Sequence, residues 1–314
     1  MNAQVTARKV SPRRRKMSGL ARQEAIEGWL FAAPFYIGFL IWTAFPMAMS
    51  LVMSFMEWGI LTDPVWNGLN NYQKLLTKDP LFWLSFGNTA YLTFLGIPIG
   101  MTASLLVAFA LNVKSKLKNL YRTLYFLPSQ VPGVANAVLW ALIFNYQFGI
   151  LNQVLSKIGI PPQNWLFQKH TVKPALIFMG LWGVGGGMMI YLAGLQNIPQ
   201  ELYEAAEIDG AGRWQRMRHV TLPLLTPVIF FNLVMNIIGS FQGGFTTTYI
   251  MTEGGPANYS LVTMLYLYRQ AFMYMHMGYA SAFAWLLFFV ILIFTAIQFR
   301  MANYWVFYEV TSKK

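Results

Sequence analysis

Six long stretches of the chain carry no Asp, Glu, Lys or Arg: Gly28–Met56, Pro80–Val113, Thr123–Ser156, Pro174–Gln200, His219–Thr252 and Gln270–Gln298. Each exceeds the roughly 20 residues needed to cross a hydrocarbon core about 30 Å thick. The pattern therefore predicts six spanning helices and an all-α, polytopic membrane protein. A charge at the centre of such a helix costs about 2.5–3.5 kcal/mol on insertion scales, which explains why the charged residues collect between the stretches. Pro34 and Pro46 in the first stretch and Pro128 and Pro132 in the third predict bends. Between the stretches, Gly68-Leu69-Asn70-Asn71-Tyr72 reads as a turn followed by a short helix. Ile160-Pro161-Pro162 and Glu253-Gly254-Gly255-Pro256 break two further loops. Ser260–Phe272 is too short to span, and its aromatic content predicts an interfacial helix capped by Ser260.

The segment Asn197–Pro223 is the one long polar stretch between two apolar runs. Pro199 suits a first helical position, and Glu201 and Glu204 follow near the positive end of the dipole. Helical spacing puts Leu202, Ala205, Ala206 and Asp209 on one face and Gln200, Glu204 and Glu207 on the other. Gly210 supplies the left-handed residue that stops the helix. After Gly212 a second helix has Trp214, Met217 and Val220 on one side and Gln215, Arg218 and His219 on the other. Pro223 is expected to push Leu222 out of helical geometry and close the unit. On pattern alone this is an amphipathic segment on the membrane surface or a docking helix-turn-helix. Entry into a DNA groove is excluded by its tethering at both ends.

With 56% hydrophobic and 11% charged residues among 314, the chain is too apolar for an ordinary soluble domain. Its net charge of +12 would suit nucleic acid only if gathered on a folded polar surface, and here the basic residues sit in loops and tails. Their placement instead orients the chain. Seventeen Lys and Arg lie in the N-terminus (including Arg13–Lys16), the 113–122 loop, the 197–218 loop and the C-terminal tail, against six on the opposite side. That puts both termini and the 197–223 unit in the cytoplasm. A twin-arginine export signal would need a shorter apolar core and a cleavage site.

There is no G-x-x-x-x-G-K-[ST] loop, so ATP would have to be handled by another polypeptide. No chain of intramembrane carboxylates suggests proton coupling, and no G-x-S-x-G suggests an esterase. Cysteine is absent, and His170, His219 and His276 are far apart, so no metal site is expected. Two stripes of small and polar residues recur at helical spacing: Asn232, Asn236, Gly239, Ser240 and Gly243, and Ser129, Gly133, Asn136 and Trp140. They either pack helices or line a solute path. For a path, Asn136, Trp140, Asn232, Asn236 and Gln242 are the candidates, because amides and aromatic faces suit a sugar.

The run Glu204-Ala205-Ala206-Glu207-Ile208-Asp209-Gly210-Ala211, continuing to Leu222-Pro223, resembles the EAA loop of permease subunits of bacterial ABC importers that work with a binding protein. Ala193–Pro199, Gly212-Arg213-Trp214-Gln215, Gly68–Tyr72, Arg122–Pro128 and Gly254-Gly255-Pro256 resemble the carbohydrate-uptake branch. The similarity covers about residues 28–300 and implies a six-span domain between a basic tail, 1–27, and a C-terminal tail, 301–314. It implies that Glu204, Ala205, Ala206, Asp209, Gly210, Ala211, Met217 and Pro223 couple the chain to an ATPase, with Met217 standing where the family more often has Phe. The end Val310-Thr311-Ser312-Lys313-Lys314 lacks a Lys-Gly motif, which resembles the first-type, maltose- or glycerol-phosphate-permease-like member of a pair. The implied partners are a second permease subunit, two ATP-binding subunits holding ATP and Mg, and an extracytoplasmic solute-binding protein. The implied setting is the bacterial inner membrane. A gradient-driven carrier is the alternative.

Overall fold

A computed structural model describes residues 19–113 and 116–307. The Arg13–Lys16 run, Lys114 and the Val310–Lys314 end lie outside the described residues. The chain divides into two units, 1–52 and 53–314.

The first unit, where described, is helix. α1, Gly19–Ser54, is 36 residues long and passes through a wide π turn at Leu40–Ala44. It buries no side chain between Gly19 and Phe39, and leaves Trp29, Phe31 and Trp42 more than two-thirds exposed. An apolar helix with this much exposed surface suits lipid rather than water.

After the last two residues of that helix, the second unit has a two-residue antiparallel ladder, β1 (Met56–Glu57) with β2 (Val65–Trp66), and then α2, Asn70–Thr77, after the expected turn at Gly68. α3, Pro80–Leu111, begins sharply because the Asp79 carboxylate accepts from the Leu81 and Phe82 amides at 2.9 and 3.1 Å and Pro80 needs no acceptor. Its 32 residues reach about 48 Å, ample for a bilayer. α4, Lys118–Phe126, runs through a tight turn, Leu127–Gln130, and the chain then bends by 95° into α5, Gly133–Ile143. The prolines cause the bend: Val131 must leave helical space ahead of Pro132, and both are extended. After α6 (Ile150–Lys157), α7 (Val172–Leu181) meets α8 (Gly185–Gln196) at 46°. At Gly185 a Cβ would fall 2.1 Å from the Tyr125 carbonyl oxygen, so only glycine lets α8 press on the end of α4.

α9, Gln200–Ile208, is followed by α10, Arg213–Gln242, which ends at Gly243 and at Gly244, where φ is +79°. The single apolar stretch His219–Thr252 is thus divided, its last part forming the short α11, Phe245–Met251. α12, Thr263–Tyr268, is packed inside rather than interfacial: Thr263, Leu265 and Tyr266 are buried with Phe82 and Phe283. Ser260 does not cap it. Val262 takes that position, while the buried Ser260 hydroxyl donates to the Gly255 carbonyl at 2.6 Å and meets Thr252 Oγ1 at 2.7 Å. A π turn, Arg269–Met273, and the positive φ of Met275 delay the last helix, α13, to Met277–Trp305 instead of Gln270–Gln298. Arg300 therefore lies within that helix, near its end.

Asp79 ties these elements together. Its second oxygen accepts from the hydroxyls of Tyr266, at 2.6 Å, and Tyr279. Burial, then the hydrogen bond and charge of Asp79, push the Tyr266 phenol above its ordinary range. Among the described residues, α1, α3, α10 and α13 are long and apolar enough to cross a membrane, and the two bent pairs meet the same test jointly.

Candidate coupling loop and transmembrane cavity

α9 begins one residue later than expected, because Pro199 is extended (ψ 132°) and stands just before the helix. Its end is a Schellman turn. The Ala211 amide reaches back to the Ala206 carbonyl at 2.9 Å and the Gly210 amide to Glu207 at 3.0 Å, with Gly210 at φ +79° as expected. No heavy atom lies within 4 Å of a Cβ built on Gly210, so the backbone angle, not space, demands glycine.

Three contacts fold the loop back on α10. The Tyr203 hydroxyl meets Thr221 Oγ1 at 3.0 Å, Arg216 pairs with Glu207 at 3.0 Å, and the Gly212 amide donates to Gln215 Oε1 at 2.8 Å. Tyr203 and Ala206 consequently face inward and are half-buried. Leu202, Glu204, Ala205, Ile208 and Asp209 are exposed, Ile208 at 87%. The expected face is therefore divided, with Ala206 inside and Leu202, Ala205 and Asp209 outside. Trp214 is exposed as well, away from the half-buried Met217 and Val220. Ile208, an apolar side chain between two acids, was the signal in the sequence for an outward apolar spot.

Pro223 does not close the unit. Leu222 is helical (φ −63°, ψ −45°), and Met217–Thr221 forms a π turn in which the Leu222 amide bonds the Met217 carbonyl, five residues back. The widened turn carries the helix past a residue with no N–H, so loop and span are one rod from Arg213 to Gln242.

That rod forms one wall of a cavity of about 610 Å³ bounded also by α3, α7 and α8. Asn232, Asn236 and Ser240 line it from α10, Thr89 and Ser104 from α3, and Tyr191 from α8. The amides of Asn232 and Asn236 donate to the carbonyls of Val228 and Asn232, at 3.1 and 2.7 Å, which leaves their side-chain oxygens as acceptors. The α3 contribution was legible in the Thr89, Gly96, Gly100, Ser104 spacing and was missed. Of the other candidates, Gln242 lines a separate, mainly apolar hollow with Met264, Leu267 and Phe288. Six residues beyond Asn236, it lies about 120° away around the helix. Trp140 is buried at 6% exposure, edge-on to Phe178 and Trp182. Neither it nor Asn136 reaches the cavity, and the Trp140 indole nitrogen and Asn136 Oδ1 are buried without partners.

Residues 96–304 match the family of binding-protein-dependent transport system inner membrane components. The chain belongs to that family. It is 42% identical to the probable ABC transporter permease protein YesP of Bacillus subtilis, covering 94% of this chain and 96% of that one. It is 35% identical to the arabinooligosaccharides transport system permease protein AraP of the same organism, covering 88% of each. A bacterial ABC transporter involved in importing the acidic polysaccharide alginate superposes with a TM-score of 0.80 at 28% identity, over 90% of this chain and 98% of that one. This permease is thus an all-α, multi-pass inner-membrane subunit of an ABC importer, a transporter component.

Proposed function

We propose that this permease moves sugars or related polyhydroxylated solutes, with six spans, each bent pair counting as one, and both termini in the cytoplasm. The observation that carries the reading is the unbroken helix Arg213–Gln242, which joins an exposed loop to the wall of a cavity lined by amides and hydroxyls. A push on α9 is thereby a push on Asn232 and Asn236, as alternating access requires. The exposed end of α9 and the turn after it, with Ala205, Asp209 and Gly210, is the docking surface for an ATP-binding subunit, with Glu204 at its edge toward α4 and the half-buried Ala211 beneath it. Met217 and Pro223 sit in the stem that transmits its movement. ATP and Mg belong to two such subunits, a second permease subunit completes the pore, and an extracytoplasmic binding protein delivers the solute. The saccharides named for AraP and the alginate importer support this solute class.

A proton-driven carrier would need a titrating group in the path, and no carboxylate is among the described residues that line the cavity. In vesicles containing the assembled importer, uptake should follow internal ATP and persist when the proton gradient is collapsed. Uptake that survives ATP removal but stops with the gradient would overturn the proposal.

A further inference from the structure

A further cavity, about 480 Å³ and lined largely by charged and amide side chains, lies where α4, the end of α3 and the loop helix α9 meet. Lys118 and Arg122, one turn apart on α4, line it, as do Gln200, Glu204 and Glu207 of α9. The charges in it are unevenly matched. Glu207 is taken by Arg216 at 3.0 Å, while Glu204 accepts only from the Gln200 amide, at 2.9 Å, and is in no ion pair among the described residues. Arg122 is in none either, and its Nε is buried with no hydrogen-bond partner. A guanidinium has five donors and no acceptor, so a buried N–H left unmet disfavours the arrangement that leaves it so. Among the described lining residues, Glu204 is the carboxylate still open to it.

We infer that Arg122 is a positioning residue of the transport cycle: as this cavity narrows, its guanidinium pairs with Glu204 and carries the movement of α9 into α4. The inference rests on the reading that α9 docks an ATP-binding subunit. From α4 the movement has two routes. One is the 95° bend into α5, and the other is the close backbone contact of Tyr125 with Gly185 of α8, which borders the solute cavity through Gly187 and Tyr191. In the present arrangement the pair is open. A pair at a partly wetted site gains enough to bias two states without locking either, which suits a step that must reverse each turnover.

The absence of cysteine from the chain makes the test direct. Lys118→Cys with Ile198→Cys places thiols on two residues that line this cavity, one on α4 and one just before α9, with the side chains of Arg122, Glu204 and Gln200 intact. In the assembled importer, its partners' cysteines replaced, a short bis-maleimide should bridge the two about fivefold faster in one nucleotide state than in the other. Arg122→Gln should abolish that difference and lower uptake per ATP hydrolysed about tenfold, with Arg122→Lys keeping most of it. Assembly with the ATP-binding subunits should be unchanged. Equal bridging rates in the two states, or normal uptake per ATP in Arg122→Gln, would overturn the role of Arg122. Failure of the unsubstituted chain to hold those subunits would instead overturn the docking reading.

Discussion

Glu207 of α9 and Arg216 of α10 meet at 3.0 Å across the turn made by Gly210, and this ion pair holds the loop folded back on its own stem. Because Glu207 is 69% exposed and Arg216 23%, water screens the pair, and it contributes about 1 kcal/mol or less. Glu207→Gln should therefore leave the melting temperature of the purified permease almost unchanged. It should still reduce uptake more than ATP hydrolysis, because the loop loses its fixed angle to the span. The two rates, measured together in proteoliposomes, check this.

Gly210 at φ +79° is held by backbone geometry alone. Gly210→Val forces a β-branched residue into left-handed space at a cost of about 1–2 kcal/mol, or else unwinds the turn. Insertion and folding should survive, with ATP-driven uptake falling at least as far as in Glu207→Gln. Gly210→Asn should restore much of it, since asparagine tolerates that region.

The cavity makes a contrast between two residues of one helix. Asn236→Leu should weaken solute transport about tenfold or more, because an acceptor facing the cavity is replaced by a hydrocarbon. Gln242→Leu should leave it near normal, since that side chain lines a different hollow. Initial uptake rates over a range of solute concentrations separate the two.

Trp140→Phe gives a third outcome. The indole nitrogen is buried and unpartnered, so removing it relieves a desolvated donor while keeping most of the ring packing. Thermal stability should change by no more than about 1 kcal/mol, and transport should be unaffected.

Tyr266 sets an alkaline limit. Its proton is held more tightly in the folded chain, first by burial and then by Asp79, than at the ordinary phenol value of 10.0. The stabilisation is complete below that value and is lost as pH rises past it. Unfolding temperature should be flat from about pH 7 to about pH 9 and fall beyond about pH 10, and Tyr266→Phe should make the fall shallower.

What was legible in the sequence was what is decided locally. Gly210 could be assigned because a helix stop with this chemistry needs a positive φ, and Asn232 and Asn236 because four-residue spacing puts them on one face. The continuity through Pro223 was hidden, since the π turn that accommodates it is an adjustment shared by five residues and leaves no mark in any one of them. Burial of Ser260 and α12 was hidden for a related reason. Aromatic and hydroxyl residues suit a membrane surface and a hydrogen-bonded core equally well, and long-range partners such as Thr89 and Asp79 decide between them.

Ile208, 87% exposed at the tip of α9, offers the most direct test, since a single cysteine there has no competitor in the chain. In native membranes, Ile208→Cys should cross-link to an ATP-hydrolysing polypeptide and be shielded from impermeant thiol reagents added outside. Cross-linking to no such partner, or ready labelling from the outer face of intact cells, would contradict the coupling of this loop to ATP hydrolysis.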